Sequence, residues 1–396
     1  MSLYSGVEIE SSTETVIIAL LSGGNFSRVY LCKHTIPSKH LKSMYRAIKV
    51  YPRETSLLRS SRIISEKAVL LKINSFSCPY VIRLLCTKKD DKYLYFILEA
   101  YQCGSLNFHI RKSSCGRFPV AIARNYASEI VSALNCLREC GCMHRDIKPT
   151  NIIVDSTGHL KLSDFGASKI LFPQLDAVNG DPINCPKTFT IIGTMQYMAP
   201  EIIARSYGYC PEVDWWALGV VIYEMLCGVP PTFKNVPLWV NATVVSAAQN
   251  GSWPDEETRS IALNAIVAPQ KSLQTEIVDF GEYQSTISQL NSWTPILSYS
   301  DFVNLTSSKL SICGWDLIQK LLTPNLSRRL GPWSVGKIED HPFFHSVNWH
   351  DVDAGLSKAP DLAFNKTLGF QDLIDDSAES ISLEMNGLNN NLFEGF

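Results

Sequence analysis

Apolar positions change their pattern near residue 100 of the chain. Before that point, short apolar runs separated by glycine or polar turns predict strands at 16–21, 29–32, 47–50 and 93–98. Residues 60–73 are different, because their apolar positions follow a helical period. We therefore expect a strand-rich first part that contains one helix.

Helical patterns dominate after residue 104. Residues 121–137 keep a clear 3.6-residue period, which predicts an amphipathic helix. The longest apolar run, 215–229, contains Glu224 and is shorter than the about 20 residues that cross a bilayer, so it predicts a buried helix. Residues 246–311 are rich in Ser, Asn, Thr and Gln and carry no recognisable motif. We expect a hinge between the two parts at 100–104.

Composition excludes several classes of protein. The chain has 396 residues, 45% hydrophobic and 19% charged, which is a globular balance. Its net charge of −2 argues against nucleic acid or anionic lipid as a partner. The start of the chain lacks the basic and apolar regions of a signal peptide, and the twelve cysteines lack zinc-site spacing and are expected to be reduced and buried. We expect a cytoplasmic or nuclear protein with no membrane span.

One ordered set of motifs carries the chemistry. It consists of His144-Arg145-Asp146-Ile147-Lys148-Pro149-Thr150-Asn151, Asp164-Phe165-Gly166 and Ala199-Pro200-Glu201. In identity, order and spacing the set resembles the eukaryotic protein kinases, over about residues 15–350. This resemblance implies an α+β, bilobal protein kinase fold, with a β-rich N-lobe at 1–100 and a helical C-lobe at 101–345 that holds the 246–311 insert.

The resemblance also implies the reaction, which is transfer of the γ-phosphate of ATP to protein Ser or Thr hydroxyls with the help of Mg²⁺. Phosphoryl transfer depends mainly on positioning and charge neutralisation. Asp146 is the candidate base for the hydroxyl proton, and Lys148 would reach the γ-phosphate. Asn151 and Asp164 offer the oxygen ligands that magnesium prefers.

Lys49 lies in an Ala-x-Lys strand motif and would bind the α- and β-phosphates. Glu66, seventeen residues later on the predicted helix, is its expected partner, and Glu54 in a predicted loop is the alternative. The glycine loop keeps one family glycine in place and has serines at the other two positions. The expected nucleotide site comprises Leu21, Gly23, Gly24, Ser27, Val29, Ala47, Lys49, Leu98, Glu99, Tyr101 and Ile153. For its apolar members, packing in the core is an equal alternative.

Thr190 stands three residues before Gly193, the place of the family's activating phosphorylation. A phosphate there needs basic partners, and Arg145, Lys169 and Arg62 are the candidates. A plain loop threonine is the alternative.

Residues 341–349 are similar to the large-lobe end of the AGC group, so 346–396 is expected to be an AGC-type tail. Its terminal Phe393 and Phe396 resemble a motif that docks on the small lobe, and a frayed terminus is the alternative. Stretches at 25–27, 126–134 and 193–197 are similar to the phosphoinositide-dependent branch of that group, with a cyclic-nucleotide-dependent type as the alternative.

Protein substrates with Ser or Thr acceptors, other AGC kinases among them, are the implied partners, and a monomer is expected. Asp214 resembles the family's buried anchor of the catalytic loop, and Arg329 resembles the partner of Glu201.

The alternative function is a pseudokinase scaffold, which binds partners without catalysis. Only the altered glycine loop favours it.

Overall fold

The computed structural model describes residues 14–23, 27–35, 43–53, 57–171, 186–204, 208–231, 309–326, 328–331 and 337–360. Its first part is an antiparallel sheet in the order β1-β2-β3-β5-β4. The strands are β1 (Glu14–Gly23), β2 (Arg28–Thr35), β3 (Ser43–Pro52), β4 (Leu84–Lys89) and β5 (Tyr93–Glu99). Helix α1 (Leu57–Asn74) lies between β3 and β4 in the chain.

Strand register decides which side chains share a face of this sheet. Val29 pairs with Lys49, and Ala47 pairs with Leu98. Positions two apart on a strand point to the same side, so these four side chains lie on one face. Ala47 and Leu98 join the main core there, whereas Tyr30 and its neighbours form a separate cluster on the other face.

Helices dominate after Glu99. They are α2 (Leu106–Lys112), α3 (Val120–Glu139), α4 (Pro200–Ala204), α5 (Glu212–Cys227), α6 (Lys309–Leu321) and α7 (Trp349–Asp353). Short antiparallel pairs join β6 (Cys142–Met143) to β9 (Lys169–Ile170), and β7 (Ile152–Val154) to β8 (Leu160–Leu162). A β-rich part followed by a helical part is the α+β fold that the sequence predicts.

Helix α5 forms the centre of the helical part, because every residue in it except Cys227 is buried. Gly228 ends the helix at φ 84°, and a Cβ there would meet the carbonyl oxygen of Gly116 at 2.5 Å. Only glycine fits such a close left-handed turn. The prediction of a buried helix is confirmed with shifted limits, since Val229 is exposed.

The other predicted elements at 16–21, 29–32, 47–50, 60–73, 93–98 and 121–137 are also confirmed. The sequence patterns did not predict β4, β7 or β8. Almost all of the 246–311 insert lies outside the described residues, which resume at 309. In the described part of the chain, no helix has the length and apolarity to cross a membrane.

The expectation of reduced cysteines is wrong at one place. Cys78 and Cys136 form a disulfide, with Cα atoms 6.3 Å apart. The other cysteines in the described segments are free thiols, and Cys115 among them is exposed, not buried as expected. No spacing rule connects two cysteines 58 positions apart, so only the fold reveals the pair.

Candidate active site

Lys49 on β3 forms the centre of the first half of the site. Its Nζ donates to Glu66 Oε1 at 2.8 Å and to Asp164 Oδ1 at 2.7 Å. Burial alone would lower the pKa of Lys49, which is 5% exposed, but the two carboxylates raise that pKa well above its ordinary value. Lys49 is therefore a fixed cation that connects helix α1 to Asp164. The alternative partner Glu54 lies outside the described residues.

Asp164 stands at φ 57°, in the left-handed region, just before a short 3₁₀ turn. The Lys49 cation outweighs burial and lowers the pKa of Asp164 to about 2. The Asp164 side chain is 51% exposed, so this carboxylate faces the open cleft. A Cβ on Gly166 would lie 3.3 Å from Asp164 Oδ1 and 3.5 Å from Lys49 Nζ, so a side chain there would crowd the Asp164 carboxylate.

The second half of the site surrounds the Asp146 carboxylate. Thr194 Oγ1 donates to Oδ1 at 2.7 Å, and Asn151 Nδ2 donates to Oδ2 at 2.9 Å. Lys148 Nζ lies 2.8 Å from Oδ2 and also donates to Thr194 Oγ1 at 2.6 Å. These contacts orient Asp146 and keep a cation beside it.

The loop below Asp146 is held by the buried Asp214 on α5. The Asp214 carboxylate accepts hydrogen bonds from the backbone amides of His144 and Arg145, both at 2.7 Å. Arg145 adopts φ 70°, which is unusual for a residue with a side chain. Burial raises the pKa of Asp214, whereas the bonded amides favour its ionised form. The predicted anchor therefore makes the contacts that a strained loop needs.

Ser163 connects the two halves of the site. Its amide and its hydroxyl donate to the Asn151 carbonyl oxygen at 2.8 and 2.9 Å. Its own carbonyl lies 2.9 Å from His144 Nε2, and the His144 ring packs on Phe165 with ring centres 4.8 Å apart. Asn151 therefore lies next to the strand that leads directly into Asp164.

The donor atoms fit a magnesium ion that arrives with a nucleotide. Mg²⁺ in phosphoryl-transfer sites is held by one or two protein oxygen ligands together with waters and substrate phosphates. Asp164 offers a carboxylate that faces the cleft, Asn151 offers an amide, and the Lys49 cation suits the phosphates.

The predicted nucleotide contacts differ in their burial and lie on several elements. Ala47 and Leu98 are buried on the sheet face that carries Lys49. Several others are partly buried, namely Ser27, Val29, Glu99, Tyr101 and Ile153. Leu21 and Gly23 are exposed at the end of β1, and Gly24 lies outside the described residues. Tyr101 donates its hydroxyl to the Glu99 carboxylate, an unpredicted contact that orders the segment after β5.

Thr190 lies in a described segment that contacts the predicted basic residues. Tyr209 donates its hydroxyl to the Thr190 carbonyl oxygen at 2.5 Å, and Arg145 Nη1 donates to the Tyr209 hydroxyl at 3.3 Å. Lys169 Nζ bonds Thr188 Oγ1 at 3.1 Å. Burial, and then the positive charge of Arg145, lower the pKa of Lys169, so these two cations share one neighbourhood. Arg62 is exposed on α1, one turn before Glu66.

Arg329 and Glu201 form the predicted buried pair, with two parallel contacts at 2.5 and 2.9 Å. Phe393 and Phe396 lie outside the described residues.

Sequence reasoning missed Thr194, although it directly follows Gly193 in the 193–197 stretch. It also missed Tyr51, whose hydroxyl donates to Glu66. The strand period was the available signal for Tyr51, since it stands two positions after Lys49 and shares its face.

The match to a family model decides the family. The model described as the protein kinase domain matches residues 16–344. This chain belongs to the protein kinase family. The motifs, the two-part fold and the assembled site agree with that membership, and the pseudokinase alternative is not favoured.

Similar curated kinases come from several animals. The mouse cAMP-dependent protein kinase catalytic subunit PRKX is 32% identical over 347 residues, covering 87% of this chain and 76% of the relative. The Drosophila melanogaster cAMP-dependent protein kinase catalytic subunit 3 is 31% identical, covering 87% and 46%. The mouse serine/threonine-protein kinase Sgk3 is 31% identical, covering 86% and 54%. The kinase spans about half to three quarters of the length of these relatives, which are AGC-type serine/threonine kinases.

Proposed function

We propose that this kinase transfers the γ-phosphate of ATP to Ser or Thr hydroxyls of proteins. The arrangement around Asp146 carries the proposal. Thr194, Asn151 and Lys148 fix this carboxylate, and Ser163, which bonds Asn151, directly precedes Asp164 of the Lys49–Glu66–Asp164 group. A scaffold that only binds partners does not need this set of oriented charges.

The residues divide the reaction between them. Lys49 would bind the α- and β-phosphates, and its contact with Glu66 keeps it in place. Asn151 and Asp164 would hold Mg²⁺, which neutralises phosphate charge when it is bound. The substrate hydroxyl oxygen forms the new bond to the γ-phosphorus as the bond to ADP breaks. Its proton passes to the Asp146 carboxylate, and Lys148 offsets negative charge beside it.

A direct test measures transfer of labelled phosphate from ATP to a generic protein substrate. Asp146→Asn removes the proton acceptor and is expected to lower kcat by about 10²–10⁴-fold. Asp91→Asn, in the exposed turn between β4 and β5, is the matched control and should leave the rate unchanged. Equal rates for the wild type and Asp146→Asn would contradict the proposal and favour the scaffold.

We further propose that phosphorylation of Thr190 activates the enzyme. The phosphate adds about 1.5–2 negative charges and needs cations close by. Arg145 and Lys169, which lie in this neighbourhood, support the proposal, and Arg62 is the candidate on α1. Thr190→Ala is expected to lower the activity of a phosphorylated sample about tenfold or more. Ser156→Ala, in the exposed turn between β7 and β8, is the control and should leave the activity unchanged. An unchanged rate for Thr190→Ala would refute this idea.

The place of the enzyme within the AGC group is also a proposal. The stretches at 25–27, 126–134 and 193–197 support a resemblance to 3-phosphoinositide-dependent protein kinase-1. We infer that activation loops of other AGC kinases are substrates. Peptides copied from such loops should be phosphorylated faster than arginine-rich peptides of equal length, and the reverse preference would favour the cyclic-nucleotide-dependent type.

The remaining expectations stay predictions. They are the lobe limits at 1–100, 101–345 and 346–396, docking of Phe393 and Phe396 on the small lobe, a monomeric state, a lack of nucleic-acid partners, and a cytoplasmic or nuclear location. Deletion of 393–396 tests the docking, because an unchanged rate would support a frayed terminus.

A further inference from the structure

The disulfide between Cys78 and Cys136 connects the two structural parts of the kinase. Cys78 lies in the loop 75–83 between α1 and β4, and Cys136 lies near the end of α3. The Cα separation of 6.3 Å is within the range that a disulfide spans without backbone movement. Both cysteines are only partly buried, so a small thiol can reach them.

The same loop contacts two elements that lead to members of the Lys49 half of the active site. Its first end follows α1, the helix that carries Glu66. Further along, Ile82 donates its amide to the Leu162 carbonyl at 3.0 Å, and the Leu162 amide donates to the Tyr80 carbonyl at 2.8 Å. Leu162 stands two residues before Asp164. A covalent bond at Cys78 therefore restrains both the helix of Glu66 and the strand of Asp164.

Neighbouring thiols are poor competitors for this bond. Burial raises the pKa of Cys140 to about 12 and that of Cys142 to about 11. At pH 7 only about 10⁻⁵ to 10⁻⁴ of such thiols are ionised, and the thiolate is the species that attacks a disulfide. Cys140 and Cys142 therefore compete little with a solution thiol for this disulfide.

We propose that the Cys78–Cys136 disulfide is a redox switch that fixes helix α1 and thereby holds Glu66 on Lys49. A thiolate of a dithiol reductant attacks one sulfur to form a mixed disulfide, and its second thiolate then displaces the protein sulfur. The protein gains two electrons and two protons, and the reductant becomes a disulfide; oxidised glutathione reverses the exchange. In a reducing compartment the two cysteines are free thiols, so formation of the disulfide indicates oxidising conditions.

The test compares the full chain after treatment with oxidised glutathione and after treatment with dithiothreitol. In the oxidised protein, Cys78 and Cys136 should resist alkylation and appear as one linked peptide pair. Reduction should lower Tm by about 4–16 °C. It should also speed amide hydrogen exchange in 57–74 at least about tenfold, because that helix loses its anchor.

Cys78→Ser and Cys136→Ser should each behave like the reduced wild type under both treatments. Cys115→Ser, at an exposed free cysteine, is the matched control and should keep the full redox response. Alkylation of both cysteines after oxidation, or equal exchange of 57–74 in the two states, would overturn the proposal.

The effect on activity rests on the proposed kinase function. Reduction should lower kcat/KM for ATP at least about fivefold, which is the lower end of coupling between sites. If neither form transferred phosphate while hydrogen exchange still responded, the proposed function would fail and the switch would stand. If both forms transferred phosphate equally fast, the switch would fail as a control of activity and the proposed function would stand.

Discussion

Replacing Arg329 by Met should unfold the helical part of this kinase at a much lower temperature. Arg329 is 2% exposed, and its guanidinium makes two parallel contacts to Glu201 at 2.5 and 2.9 Å. It also donates to the Thr323 and Glu212 carbonyls at 2.9 and 3.2 Å. Methionine fills a similar space but leaves the buried Glu201 carboxylate, the buried Glu212 carbonyl and the partly buried Thr323 carbonyl without these donors.

Breaking one partner of a buried ion pair costs about 3–5 kcal/mol, because the remaining charge stays buried and uncompensated. For a domain of this size, each kcal/mol lowers Tm by about 2–4 °C, so the expected loss is about 6–20 °C. Calorimetry or thermal circular dichroism measures it. Lys320→Met is the matched control, since Lys320 and Asp316 form an ion pair that is about half exposed. Such exposed helical pairs contribute about 0.3–0.5 kcal/mol.

Two results would refute this reasoning. One is a Tm loss for Arg329→Met that is no larger than the loss for Lys320→Met. The other concerns the double variant Glu201→Gln with Arg329→Met, which removes the uncompensated charge. It should be more stable than Arg329→Met alone, and simple addition of two losses would show that the two side chains are not energetically coupled.

Two further predictions concern catalysis and pH. Thr194→Val removes the hydroxyl that bonds Asp146 and Lys148, so kcat should fall about 10–100-fold while Thr194→Ser restores it; a wild-type rate for Thr194→Val would contradict this. The hydrogen bond to Glu129 raises the pKa of His159 above its ordinary 6.5. The folded state therefore binds the imidazole proton of His159 more tightly than the unfolded state does, and stability is lost as pH rises above 6.5. His159→Gln should flatten the fall of Tm between pH 6 and 8, and an unchanged slope would argue against the ion pair.

Local spacing along the chain determined much about this protein. Apolar periods predicted α1, α3 and most sheet strands, because burial of one face imposes those periods. A continuous apolar run predicted α5, which is buried almost throughout. The order of motifs predicted Asp146, Asn151 and Asp164, because each short motif fixes the local backbone that positions its side chain.

Only the tertiary structure decided contacts between distant positions. Thr194 reaches Asp146 across 48 residues, and Cys78 meets Cys136 across 58. The pairing of Lys49 with Glu66 could be expected from a known motif. The strand period puts Tyr51 on the same face as Lys49, but it does not give the bond from the Tyr51 hydroxyl to Glu66. Such contacts depend on how strands and helices pack, and a pattern within one segment contains no distance to another segment. The sequence therefore defines which groups take part, and packing defines which of them touch.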